Sequence, residues 1–273
     1  MRKDFDLSLY LVTDRELSLG RSLEEVVTEA VKGGATIVQL REKDAPTGEF
    51  IELARKLKEI LKPAGVPLII NDRVDVALAA DADGVHIGQS DMKYGDARRL
   101  LGNDKIIGLS VENINDIDIA NTLDVDYIGI SPVFGTPTKT DTAQPFGLDG
   151  LRKAIAQSIH PTVGIGGMNA STAADVMETG CGGIAVVSAI CSAENIAQAT
   201  AELRKLVEEN KRELWSKEVW KKSEKIYSAS LGQEFLKEMS EGTLSDEVFG
   251  RYIAQDEIYL KNYYHQMTML SEL

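Results

Sequence analysis

Two aspartates, Asp72 and Asp91, close separate short apolar runs in this chain of 273 residues. The run Val66 to Ile70 breaks into Asn71-Asp72-Arg73, and the run Gly84 to Ile87 breaks into Gly88-Gln89-Ser90-Asp91. Carboxylates that converge from separate loops can seat Mg²⁺, which favours oxygen donors and is usually shared with a substrate phosphate. Asp72 also has a simpler use, as the cap of a helix opening at Arg73, and its neighbours in sequence leave both uses open. Arg41, Lys43 and Lys139 supply cations suited to a metal-bound polyanion such as a pyrophosphate. Gly166-Gly167 and the helix start at Val187-Ser188 are features with which parallel barrels hold a phosphate, through backbone N–H groups and the helix dipole. Two phosphate sites around one metal describe chemistry that joins, or exchanges, two phosphorylated molecules. Taken singly, each lysine reads as a solvated loop residue and the glycine pair as a tight turn. Their meaning lies in whether one fold brings them together.

The elements that must do so alternate regularly. Apolar runs predict strands at 7–12, 35–40, 66–70, 84–87, 105–109, 125–130, 162–165 and 183–187. Amphipathic segments between them predict helices, among them one capped by Ser22 with Glu25 three residues on, and one over 47–61 that stops before Pro63 and Gly65. Eight strands alternating with eight helices mean a parallel sheet. The expected fold is α/β, a (β/α)₈ TIM barrel with a C-terminal α-helical extension. A doubly wound open sheet is the alternative, but no GxGxxG follows the first strand. In a barrel, residues past the carboxyl ends of the strands share one face. That face then collects Gln39, Arg41 and Lys43, Asn71 and Asp72, Asp91, Ser110, the loop residues Thr136, Thr138 and Lys139, Gly166-Gly167, and Val187-Ser188. His86, inside a strand, reads as a barrel-layer residue and not a catalyst.

Composition removes several function classes. The net charge of −13 opposes nonspecific nucleic-acid binding, which needs a basic footprint. No apolar run is long enough to span a bilayer, and the N-terminus reads as a strand and not a signal peptide. Cys181 and Cys191 lack metal-ligand spacing, so both are expected as free thiols in a reducing compartment, the cytoplasm.

The motifs YLVTD (Tyr10 to Asp14), QLREK (Gln39 to Lys43), INDR (Ile70 to Arg73), GVHIGQSD (Gly84 to Asp91), SPVFGTPTKTD (Ser131 to Asp141) and GIGGMN (Gly164 to Asn169) occur in order. Together they resemble thiamine-phosphate synthase over roughly residues 7–207. The resemblance implies an enzyme that joins 4-amino-5-hydroxymethyl-2-methylpyrimidine diphosphate to 4-methyl-5-(2-phosphoethyl)thiazole and releases pyrophosphate. It implies Mg²⁺ held by Asp72 and Asp91, and pyrophosphate bound by Arg41, Lys43, Asn71, Ser110 and Lys139. By the same carry-over Gln39 orients the pyrimidine, and Thr136, Thr138, Gly167, Val187 and Ser188 hold the thiazole phosphate. Leu40, Glu42 and Pro137 enter as members of the same substrate-binding motifs. Lys139, Ser110, Arg41 and Lys43 would carry catalysis, by stabilising charge on the departing pyrophosphate after the pyrimidine methylene ionises. The family also implies a homo-oligomer. Two rivals stand beside this reading. One is a thiazole tautomerase, whose histidine would fall just after Ser110, where this chain has Val111-Glu112. The other is a non-catalytic barrel that binds thiamine intermediates.

From about residue 208 the character changes, dividing the chain into a barrel over 1–207 and a helical extension over 208–273. Charge crowds 208–225, then two helices are expected around Glu241-Gly242-Thr243-Leu244, the second capped by Ser245. Phe249, Tyr252, Ile253, Asp256, Tyr259, Leu260 and Tyr263 fall on one face of it. Tyr252, Gln255, Asp256 and Tyr259 resemble the opening helices of the thiaminase II (TenA-like) family, truncated before that family's catalytic residues, so no thiaminase activity is expected. The apolar face is expected to pack on the barrel or on a second subunit.

Overall fold

The computed structural model describes residues 5–135, 144–211, 223 and 234–271. Eight short strands make its centre: β1 Leu9–Val12, β2 Ile37–Leu40, β3 Leu68–Asn71, β4 Gly84–Ile87, β5 Ile106–Val111, β6 Tyr127–Ile130, β7 Thr162–Ile165 and β8 Ile184–Val186. They pair in sequence order, all parallel, and β1 pairs with β8 to close the barrel. The expected architecture is therefore the observed one. The fifth strand runs past its expected end at Leu109, because the ladder to β6 continues through Ser110 opposite Gly129 and Val111 opposite Ile130. Ser110 thus lies within β5 and not after it.

The strands are short and buried, so alternation sorts their side chains into two cores. Leu9, Leu11, Val38, Leu40, Leu68 and Ile70 point outward into the layer under the helices. Tyr10, Val12, Ile37, Ile69, Ile106, Tyr127, Val163 and Ala185 fill the barrel interior. The helices are α1 Leu23–Lys32, α2 Thr47–Leu61, α3 Val74–Ala79, α4 Tyr94–Leu101, α5 Ile114–Ala120, α6 Gly147–Gln157, α7 Ala173–Met177, the short α8 Ser188–Cys191, and α9 over 196–211. In α1 the Ser22 hydroxyl accepts the Glu25 N–H at 3.1 Å, and Leu23, Val26, Val27 and Ala30 form the buried face.

One device recurs at the amino ends of the strands. The residue just before a strand accepts an N–H from the start of the preceding strand. Thr36 takes that of Leu9 (3.0 Å), Asp83 that of Leu68 (2.9 Å) and Asp126 that of Ile107 (2.8 Å). These bonds pin the register, which otherwise decides which side chains face inward. Asp126 also pairs with Arg98 of α4 at 2.9 Å, where the two side chains are only 5% and 11% exposed. Cys181 and Cys191 are free, as expected, and both are buried. Burial pushes both thiols up, Cys191 to about 11.

The chain divides into two units, Met1–Trp215 and Ser216–Leu273. In the second, α10 Glu234–Glu241 and α11 Asp246–Ser271 flank the turn at Gly242. Ser245 caps α11, with its hydroxyl accepting the Val248 N–H at 3.4 Å. Phe249, Tyr252, Ile253, Tyr259 and Leu260 are between 43% and 62% exposed. Among the described residues, no helix is long and apolar enough to cross a membrane.

Candidate active site

The barrel's carboxyl-terminal face opens into a cavity of about 960 Å³. Eleven of the residues that the sequence collects on this face line it: Gln39, Arg41, Lys43, Asn71, Asp72, Asp91, Ser110, Gly166, Gly167, Val187 and Ser188. Strand parity explains most of this set. Gln39, Arg41 and Lys43 alternate with Leu40 and Glu42, so the first three face the cavity and the other two face away. Leu40 is buried in the outer core, and the Glu42 carboxylate pairs with Arg15 at 3.2 Å. Thr136, Pro137, Thr138 and Lys139 lie outside the described residues.

Asp72 reaches the cavity by breaking that parity. Asn71 points inward at the end of β3, so its successor in an extended chain would point outward. Asp72 instead takes a φ of +62°, a left-handed conformation that aspartate tolerates better than most residues. The turn is held by the Asp72 N–H donating to the His86 carbonyl at 2.8 Å, and by the Asn71 side-chain amide donating to the Asp72 carboxylate at 2.6 Å. Asp72 does not cap the following helix; Arg73 stands at the cap of α3, with no side-chain cap bond. Opposite it, the Asp91 carboxylate accepts the Gly88 N–H at 2.8 Å.

The electrostatics of this pair are unusual for exposed loops. Burial, with the hydrogen-bonded and like-charged Asp91 beside it, pushes the Asp72 carboxyl up to about 7, against the opposing pull of Arg41. A carboxyl held up in this way beside a second carboxylate is a donor set that a divalent cation would complete. Among the described residues, no three His, Cys, Asp or Glu side chains cluster as metal ligands. A cation held between Asp72 and Asp91 would therefore take further ligands from substrate and water, the habit of Mg²⁺. Arg41 stands close by, its guanidinium 3.2 Å from Asp14 and its backbone N–H donating to the Thr13 hydroxyl at 3.1 Å. Lys43 is exposed at the rim.

Across the cavity, Gly166 and Gly167 turn the chain after β7 with φ of +98° and +71°. A Cβ on Gly167 would lie 2.9 Å from the Phe134 Cβ, so glycine is demanded by both conformation and space. The Gly167 carbonyl is taken up by the Asn169 amide (3.1 Å) and the Thr172 hydroxyl (3.0 Å), which fixes the loop. Ser188 opens α8 beside it.

The floor holds residues that the sequence did not mark for chemistry. Tyr10, His86, Gln89, Phe134, Met168 and Asn169 all line the cavity. Gln89 donates its side-chain N–H to the Ser110 carbonyl at 2.6 Å. His86 is a barrel-layer residue, as expected, yet its ring also contacts the Ser110 hydroxyl, 2.8 Å from Nε2. Burial pulls the His86 imidazole down to about 4, with Asp91 opposing, so the ring is neutral near pH 7. The signal that could have found it is parity: His86 pairs with Asn71 in the ladder and shares its inward face.

The family described as thiamine monophosphate synthase matches residues 9–190. The chain is 51% identical over 202 residues to the thiamine-phosphate synthase of Albidiferax ferrireducens, covering 74% of this chain and 92% of that protein. It is 54% identical over 203 residues to the thiamine-phosphate synthase of Chloroflexus aurantiacus, covering 74% and 93%. Among solved structures, the thiamine phosphate pyrophosphorylase of Pyrococcus furiosus is similar, with a TM-score of 0.69, 43% identity, and 75% and 96% of the two chains covered.

Proposed function

The chain belongs to the thiamine monophosphate synthase family, and from that premise we propose how its residues divide the work. The reaction is a transfer: the chain condenses 4-amino-5-hydroxymethyl-2-methylpyrimidine diphosphate with 4-methyl-5-(2-phosphoethyl)thiazole, releasing pyrophosphate, in thiamine biosynthesis. In our reading, Asp72 and Asp91 hold Mg²⁺, which supplies positive charge to the departing pyrophosphate. Arg41, Lys43, Asn71, Ser110 and Lys139 bind that pyrophosphate through charge and donated hydrogen bonds. Gln39 orients the pyrimidine. Thr136, Thr138, Gly167, Val187 and Ser188 receive the thiazole phosphate, with the glycine turn and the opening of α8 offering backbone N–H groups.

The observation that carries this division is the Asp72–Asp91 pair. A carboxyl driven to about 7 by burial and a second carboxylate is costly unless a cation arrives to share it. The chemistry asks for no nucleophilic side chain. As the pyrimidine methylene ionises, charge grows on the leaving oxygens, and donors already in place around them lower the barrier without reorganising. The thiazole nitrogen then attacks the exposed cation within the same cavity. A cytoplasmic homo-oligomer completes the proposal.

The test is pyrophosphate release from purified protein supplied with both substrates and Mg²⁺, with Asp72→Ala measured beside it. Release that requires all three components and fails in the variant supports the assignment. Full release by Asp72→Ala would remove Asp72 from the metal site.

A further inference from the structure

At the cavity floor, five side chains join into one hydrogen-bonded chain. The Gln39 side-chain N–H donates to the Tyr10 hydroxyl at 2.8 Å, and the Tyr10 and Tyr127 hydroxyls lie 2.7 Å apart. The Tyr127 hydroxyl is 3.0 Å from His86 Nδ1, and His86 Nε2 is 2.8 Å from the Ser110 Oγ. Gln39 and Ser110, the two ends, both line the cavity. Of the three links between them, Tyr10 and His86 also border the cavity floor, and Tyr10 and Tyr127 are no more than 1% exposed. We propose that Tyr10, Tyr127 and His86 are positioning residues for the condensation, a buried chain that fixes which cavity-facing group offers a proton and which a lone pair.

The fold reserves space for this chain. A Cβ on Gly108 would fall 2.6 Å from His86 Nδ1 and inside the Tyr127 ring contact, and one on Gly129 would fall 3.1 Å from His86 Cε1. Glycines on β5 and β6 therefore leave a slot, in which the His86 and Tyr127 rings stack with centroids 5.5 Å apart. Tyr10 meets Tyr127 edge-on at 5.9 Å. Ordinary interior packing favours aliphatic layers in such a barrel; here two small residues are set aside for a polar line.

The argument for polarity is a proton count. Each hydroxyl has one proton, and a neutral imidazole has one N–H. With Gln39 donating, Tyr10 donates to Tyr127, Tyr127 donates to Nδ1, and the N–H on Nε2 donates to Ser110. The Ser110 proton is then free to point into the cavity, and the Gln39 carbonyl presents a lone pair there. The reversed chain would spend the Ser110 proton on His86 and turn the Gln39 amide around, leaving Ser110 only lone pairs to face an oxygen-rich diphosphate. A phosphorylated substrate therefore selects the first direction. The reading rests on the roles of Gln39 and Ser110 proposed above, and it requires the Nε2–H tautomer of His86.

Two measurements test it. Tyr127→Phe removes one hydroxyl and keeps the ring stack. Loss of one neutral hydrogen bond that acts through Ser110 should lower kcat by about 3–10-fold in the Ser110 background. In a Ser110→Ala background the same change should cost less than about twofold, because the end of the chain is gone. Equal costs in both backgrounds, or none in the first, overturn the proposal in favour of plain packing. Independently of turnover, ¹⁵N NMR of histidine-labelled protein, assigned with His86→Gln, should show the Nε2–H tautomer in the wild type and lose that preference in Tyr127→Phe. An Nδ1–H ring in the wild type overturns the chain's direction even if the condensation assay itself fails.

Discussion

In the proposed site, the Asp72 carboxyl would make metal binding a proton-linked event with a defined sign. A cation needs the ionised carboxylate, and burial with Asp91 nearby raises that group from its ordinary 3.8 to about 7. Affinity is therefore full above about pH 7 and falls as pH drops through that value. With one proton displaced, affinity at pH 6 should be about tenfold weaker than at pH 8. Mn²⁺ accepts the same oxygen donors, and its free ion is counted directly by EPR. Titrations at the two pH values give the ratio, and Asp72→Asn gives the background. Asp91→Asn removes the like charge but not the burial, so its weaker binding should depend less steeply on pH in this window. The metal-free fold carries the mirror image: between pH 4 and 7 the folded state holds a proton that the unfolded chain releases, so stability declines as pH rises. Mn²⁺ affinity that changes by less than about twofold from pH 6 to 8 would refute the coupling.

Other parts of the molecule yield their own expectations. Lys139→Ala should lower turnover by roughly 10²–10³-fold, as losses of electrostatic stabilisers do, and a loss below about threefold would remove Lys139 from the mechanism. Gly167→Ala forces a side chain into a left-handed turn 2.9 Å from Phe134. It should raise KM for the thiazole phosphate while leaving that for the pyrimidine diphosphate near its wild-type value, in steady-state assays varying each substrate. Asp126→Asn removes the only charge paired with Arg98 by an ion pair among the described residues, where both side chains are nearly covered, although the guanidinium keeps the Gly102 and Lys105 carbonyls. It should cost roughly 3–5 kcal/mol, read from the urea midpoint. A chain ended after Trp215 should keep pyrophosphate release within about twofold, since every residue lining the cavity lies in the first unit.

The barrel and its polar rim were legible because each rests on a local signal. Apolar runs broken by polar residues mark strand ends wherever they occur, and that rule located Asp72, Asp91, Gly166-Gly167 and Ser188. Inside the strands the signal fails. A four-residue strand buried on both faces reads as uniformly apolar, so its parity is hidden. Tyr10 and Tyr127 sit inside such runs, and their hydroxyls meet across 117 residues of sequence. Parity also separates Arg41 from Glu42, neighbours that the motif treats alike. Asp72 shows the reverse case, a residue whose direction depends on one backbone angle that no composition rule supplies. Glu112, two residues past Ser110 and on the same face, also lines the cavity, in the stretch where a tautomerase would place its histidine. The synthase relatives, at about half identity across the barrel, decide between those chemistries where one residue type could not.

The two cysteines give the protein a practical property. A thiol reacts as its thiolate, and both native thiols are covered and held in the protonated form. They are the sequence's full complement of cysteine. The folded chain is thus a quiet background for maleimide chemistry. A cysteine introduced at Ile159 on the barrel, 72% exposed, or at Tyr264 on the last helix, 76% exposed, would take the label alone. Placed together, the two become a ruler between the units, with no native residue to strip out first.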